Sequence, residues 1–298
     1  MRTPAPLSRD RSLNTSDPAE ITEWSRSRLL AVLTGAAAVA LVLVVGLGYA
    51  IYLVLANVGA KDATTRRVAT GETSRPGPAH GTARRDEIAA QPMLSVPAAA
   101  AQPTDAASAK AETIEIPAGR GLTGPALVAT GYPHTPEGAL GQLAQIDIAV
   151  LSSMSPLTAR EVYSAWALPG GVAAADWWTA TTVHGFLDSS GMGEALDSGA
   201  AVTVEPAAAL VKGTDGPDWA SVCVLMKVSA IYRSQAQAGW GHCERMQWVG
   251  GRWMVAPGRP PAAAPATWPG SGLAVKAGWR TWKTNNSTNP ADGQQGAR

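Results

Sequence analysis

Between Leu29 and Ala60 the chain reads LLAVLTGAAAVALVLVVGLGYAIYLVLANVGA, with no charged side chain. An α-helix needs about 20 apolar residues to cross a hydrocarbon layer of about 30 Å, so this run spans with room for tilt. Inside lipid each backbone amide must be paired within the segment, which leaves a helix as the single-segment solution. No polar stripe interrupts the run, as one would in a surface helix of a globular domain. It is about twice as long as the apolar part of a cleaved signal peptide and starts far from the N-terminus, which reads as an uncleaved anchor over 29–58. Tyr49 and Tyr52 fall toward its C-terminal side, where amphipathic rings favour the interface.

Arg9, Arg11, Arg26 and Arg28 precede the span, and Lys61, Arg66, Arg67 and Arg75 follow it, so the short-range count is a tie. Arg26 and Arg28 abut the helix, and long C-terminal domains translocate largely regardless of charge. The expected topology is N-terminus cytoplasmic, with the bulk of the chain outside. Residues 1–28 mix Pro, Ser, Thr and both charge signs and read as a disordered tail. Residues 59–127, rich in Ala and Pro, read as a semi-extended tether in which His80 is solvated. Residues 284–298 are a second polar tail.

Composition excludes several classes. A net charge of +1 does not suit a protein that coats nucleic acid through bulk positive charge. Two cysteines exclude a disulfide-dense scaffold and a four-cysteine zinc ribbon. No Gly-x4-Gly-Lys-Ser/Thr loop occurs, which excludes a P-loop motor.

The remaining segment, 128–283 with a core to about 257, gives helix signals first and strand signals second. Thr135-Pro136-Glu137 is a helix start: a capping hydroxyl, a proline for the first turn and an acid at the positive end of the dipole. Leu140, Leu143, Ile146, Val150, Leu151 and Met154 then form one apolar stripe. Thr158 with Glu161 forms a capping box for a second helix, and 173–187 makes a third that ends near Gly191. Strands follow at 201–212, 219–232 and 241–249, the first two separated by the turn Thr214-Asp215-Gly216-Pro217. Gly250-Gly251 between Trp248 and Trp253 marks a tight hairpin. The expected fold class is α+β: one transmembrane helix, then a tethered domain of about three helices wrapped by a curved antiparallel sheet.

The element order, the opening HTPEGAL and the closing WVGGRWMV resemble the cone-shaped nuclear-transport-factor-two-like domain. With the anchor and tether, the architecture from about residue 29 to 257 resembles the single-pass assembly subunits of conjugative type IV secretion systems of actinobacterial mobile elements. The resemblance implies a protein-contact module with no catalytic residues, no cofactor and no metal. It implies partners among other envelope and secretion-channel subunits, homo-oligomerisation and contact with membrane lipid. The basic residues are scattered, so no direct contact with nucleic acid is expected.

Cys223 and Cys243 lie on neighbouring expected strands. A bond between them closes a loop of about 20 residues and adds roughly 3 kcal/mol; a turn centred near Gln235–Gln237 puts them out of register and leaves two buried thiols. Both readings stand on the sequence. His242-Cys243 with Cys223 offers a metal site only three ligands, without a fourth. His184 could pair with Asp176 or Asp188, but a lone helical histidine next to aromatics is more often a plain surface or core residue. Asp147, with Tyr163 nearby in sequence, is the candidate general base inside the cone, although Gln142 and Gln145 place it on what reads as the wet face of its helix. Adjacent Trp177 and Trp178 point about 100° apart, so one of them is exposed. Together with Trp268, Trp279 and Trp282 they are candidate interface anchors. The functional expectation is a non-enzymatic membrane scaffold of a conjugation or secretion apparatus. The alternative is an anchored cone that binds, or acts on, an apolar small molecule.

Overall fold

A computed structural model describes residues 80–107 and 110–285. The apolar run and the 1–28 tail lie outside the described residues, and among those described no helix is long and apolar enough to cross a membrane. The rest is α+β, with a curled, half-barrel sheet of six strands around a few helices.

The chain forms α1 (Thr82–Ala90), β1 (Thr113–Pro117), the short strands β2 (Leu122–Thr123) and β3 (Ala129–Thr130), α2 (Pro136–Ser153), α3 (Pro156–Trp166), α4 (Trp178–Ser190), β4 (Ala201–Thr214), β5 (Trp219–Tyr232), β6 (Ser234–Val249), β7 (Arg252–Val255), α5 (Gly272–Lys276) and β8 (Arg280–Asn285). The main sheet runs β1-β8-β4-β5-β6-β7, antiparallel except for the parallel β1–β8 pair. Register shifts between Pro206 and Ala208 and between Val211 and Gly213 bend β4, as β-bulges do, and help curl the sheet.

α2 starts as expected: Thr135 Oγ1 accepts from Gly138 N at 3.1 Å. Its apolar stripe, with Leu140, Leu143, Ile146 and Val150 fully buried, fills the concave side of the sheet against Val222, Val224 and Met226. α3 is capped by Ser155 rather than Thr158. Ser155 Oγ accepts from Thr158 N at 3.3 Å because Pro156, with its preset φ, takes the first helical position. α4 ends at Gly191, in left-handed conformation (φ 66°). In the hairpin, Gly250 and Gly251 both take positive φ (60° and 80°) and set Trp248 opposite Trp253. His134 stacks on Trp248 at 4.5 Å and pairs with Asp218 at 2.7 Å, tying this hairpin to the start of α2.

Three expectations need correction. The β5–β6 turn is centred on Arg233, which takes φ 56°, so Cys223 faces Cys243 directly and the two are bonded. β6 therefore begins at Ser234 rather than Gly241. The expected tether is also shorter at its C-terminal end. α1 inserts Ile88 beside Trp219 on the outer face of the sheet, and β1 joins the sheet itself by pairing with β8, with Ile114 and Ile116 in the main core. Finally, residues 258–283, expected in the domain but outside its core, contribute to the packing, and the last strand runs on to Asn285. They supply α5, β8 and Trp279, which joins Cys223, Leu225 and Cys243 in a second small core on the outer face.

Candidate functional site

Among the described residues a dense cluster of buried charge lies inside the curl. Asp147 on α2 is fully buried, and the reading of a wet face fails with it: Gln142 is buried too, its side chain bonded to Thr130 Oγ1 and to Ala129 O. On β6 the alternation places Trp240, His242, Glu244, Met246 and Trp248 on the concave face. His242 Nδ1 lies 3.0 Å from both Asp147 carboxylate oxygens. Thr179, in the first turn of α4, donates its hydroxyl to Asp147 Oδ1 at 3.1 Å. Glu244 Oε2 stands 3.5 Å from His242 Nε2 and accepts from Trp177 Nε1 at 3.2 Å, while Oε1 accepts from the Arg245 amide at 2.9 Å.

Burial alone would push the His242 pKa down. The Asp147 charge and hydrogen bond, followed by those of Glu244, outweigh it and lift the imidazole to about 10. Burial pushes the Asp147 carboxyl up, and His242 and Thr179 pull back against it. Tyr163, beside Trp177 at 5.1 Å between ring centres, is raised by burial and then by the Glu244 charge. The cluster thus holds one imidazolium between two carboxyl groups, those of Asp147 and Glu244.

Next to it runs a cleft of about 200 Å³ whose walls include Tyr163, Trp177, Trp178, Val255, Glu244 and the stretch from Gly258 to Ala264. Its floor is one edge of β6. β7 pairs with β6 only from Met246 to Val249, the Ala256 amide donates to Arg245 O at 2.7 Å, and at Pro257 the chain loses a donor and turns away. The Cys223–Cys243 Cα separation of 4.0 Å marks a non-hydrogen-bonded pair, so the backbone groups of Gly241 and Cys243 point away from β5, toward the cleft.

The remaining candidates are scattered. His184, Asp176 and Asp188 are exposed and unpaired with one another among the described residues. His242 and Cys243 point to opposite faces, Cys243 is bonded, and among the described residues no three His, Cys, Asp or Glu side chains could hold a metal. Of the tryptophans, Trp178 is exposed (53%), Trp177 and Trp279 are buried at 2% each, and Trp268 and Trp282 are half-buried. Trp177 and Trp279 are therefore buried, with bonded indole N–H groups, Trp279 in the small outer-face core and Trp177 in the wall of the cleft. Sequence reasoning passed over Glu244 and Thr179. The missed signal was two ionisable residues, His242 and Glu244, on the apolar face of a strand.

No family model matches the chain, and neither a curated protein nor a solved structure matches it.

Proposed function

We propose that the chain is a single-pass membrane subunit of a bacterial conjugation or secretion apparatus, whose head works outside the cytoplasm by being contacted by other proteins. The observation that carries this reading is the Cys223–Cys243 disulfide, because such bonds persist in oxidising compartments. An oxidised head behind an uncharged 29–58 run fits an uncleaved anchor with its N-terminus inside. Exposed apolar side chains support the contact role. Leu127 is 86% exposed on two successive left-handed residues, and Leu157 is 60% exposed on α3, which packs against that turn.

The alternative, an apolar small molecule, has the cleft in its favour, but Glu244 in the wall favours a charged guest. Two experiments test the proposal in the native host. A Ser95→Cys variant, with the natural cysteines bonded, should react with a membrane-impermeant maleimide in intact cells; reaction only after lysis would reverse the topology. Deleting the gene should abolish transfer of the element's DNA, and undiminished transfer would end the assignment.

A further inference from the structure

We propose that the cleft along β6 binds an extended stretch of a partner polypeptide and takes the ammonium of its lysine side chain between Glu244 and the rings of Tyr163 and Trp177. This rests on the protein-contact reading and names what is contacted.

Three observations converge on that occupant. The first is the edge. The outward backbone groups of Gly241 and Cys243 have neither a ladder partner nor a side-chain partner among the described residues. They sit in a nearly buried strand, where an unpaired N–H or C=O is costly. An added strand supplies the missing partners in register, which a rounded small molecule does not.

The second is charge. The carboxylate of Glu244 reaches round to this edge, because it captures the outward N–H of the very next residue, Arg245. Glu244 and Asp147 set two carboxyl groups against the single ring of His242. The Arg245 guanidinium is not a further partner, since it stacks over Trp219 and pairs with Asp86 and Pro257 O instead. A buried carboxyl in the cleft wall, with one imidazole shared between two such groups, suits a cationic guest.

The third is the kind of cation. Tyr163 and Trp177 flank Glu244, and aromatic faces attract an ammonium. The same walls, with Val255, suit a four-carbon apolar stem. A metal ion is a poor fit, because a single carboxylate provides too few oxygen ligands. Lysine rather than a chain terminus follows from two successive edge positions, Gly241 and Cys243, which a continuous strand can pair on both sides of the charged residue.

The test titrates the full-length protein in detergent micelles with a capped peptide, Ala-Val-Lys-Val-Ala, by calorimetry and by hydrogen exchange over residues 239–245. The lysine peptide should bind and slow exchange at Gly241 and Cys243. Replacing lysine by norleucine, or methylating the backbone nitrogens that would pair with β6, should each weaken binding about tenfold. A Glu244→Gln variant should bind the lysine and norleucine peptides alike; if that variant does not fold, the peptide series decides alone. Equal binding of the norleucine peptide, unchanged exchange at Gly241 and Cys243, or equal binding of an uncapped norleucine peptide through its terminal amine would each overturn the proposal. If the peptides fail while gene deletion still abolishes transfer, this inference falls and the protein-contact reading stands. If they bind while transfer persists, the conjugation assignment falls and the polypeptide-binding cleft stands.

Discussion

At the scale of single residues, His242 concentrates the physics of the head. Its folded-state pKa of about 10 exceeds the ordinary 6.5, so the folded protein holds this proton more tightly than the unfolded chain. The stability it contributes is fully present below about pH 6.5 and drains away as pH rises through 10. Two outcomes follow. The His242 ring signals in an NMR titration should stay unmoved between about pH 5 and 9. Asp147→Asn should cost about 3–5 kcal/mol in urea unfolding, because it leaves the imidazolium short of its main counter-charge in a dry site. A loss below about 1 kcal/mol would mean that the cluster is wet. Asp215 has the opposite sign. The Arg85 hydrogen bond, aided by Gly81 and His80, holds its carboxyl down at about 2 against its burial, so the clamp it forms at the start of α1 is lost only as pH falls through that value.

At the scale of elements, the β5–β6 pair is stapled by Cys223–Cys243, with Met93 Sδ lying 3.4 Å from Cys243 Sγ and 3.8 Å from Cys223 Sγ. Replacing both cysteines by alanine should lower stability by about 3 kcal/mol, measured against the wild type without reductant and abolished as a difference when both are reduced. On the outer face, β6 accepts the stretch before α5 at closest range at Gly239, where a Cβ would stand 1.8 Å from Thr267 O. Gly239→Ala should therefore lift that stretch, and limited proteolysis should cut within 258–269 several times faster than in the wild type. These elements also show where the sequence was readable. The Gly250-Gly251 hairpin and the Thr135 cap were plain, because each rests on a local rule that its residues satisfy alone. The disulfide register was not, because the turn sits on Arg233, a left-handed residue with no glycine, proline or asparagine to announce it. Asp147 was placed on the wrong face for a related reason. A helix with polar residues on two sides has no unique wet side until His242, 95 residues away in sequence, arrives to pair with it.

At the scale of the whole head, the question is where the folded unit begins. Residues 80–127 look like tether because few of them carry a large apolar side chain and most of their apolar residues are alanine, and what binds them is tertiary. Lys212 Nζ reaches the α1 carbonyl of Ala89 at 2.8 Å and that of Gln91 at 2.7 Å, and Trp219 is flanked by the guanidinium groups of Arg85 and Arg245, each 5.7 Å from its ring centre. β1 then closes the sheet against β8, burying Ile114 and Ile116 to 3% and 1%. Fully burying one such aliphatic side chain adds about 1.5–3 kcal/mol, so Ile88, Ile114 and Ile116 together supply about 5–9 kcal/mol. That is of the order of the entire margin of an ordinary domain, about 5–15 kcal/mol. A fragment spanning 79–285 should therefore unfold in one cooperative thermal transition with its disulfide formed. A fragment spanning 128–285, cut where composition alone puts the boundary, should show no such transition, because it loses β1 and leaves β8 with a bare edge. Should the shorter fragment melt cooperatively within a few degrees of the longer one, the strap would be a passive covering, and the head would begin at its helices after all.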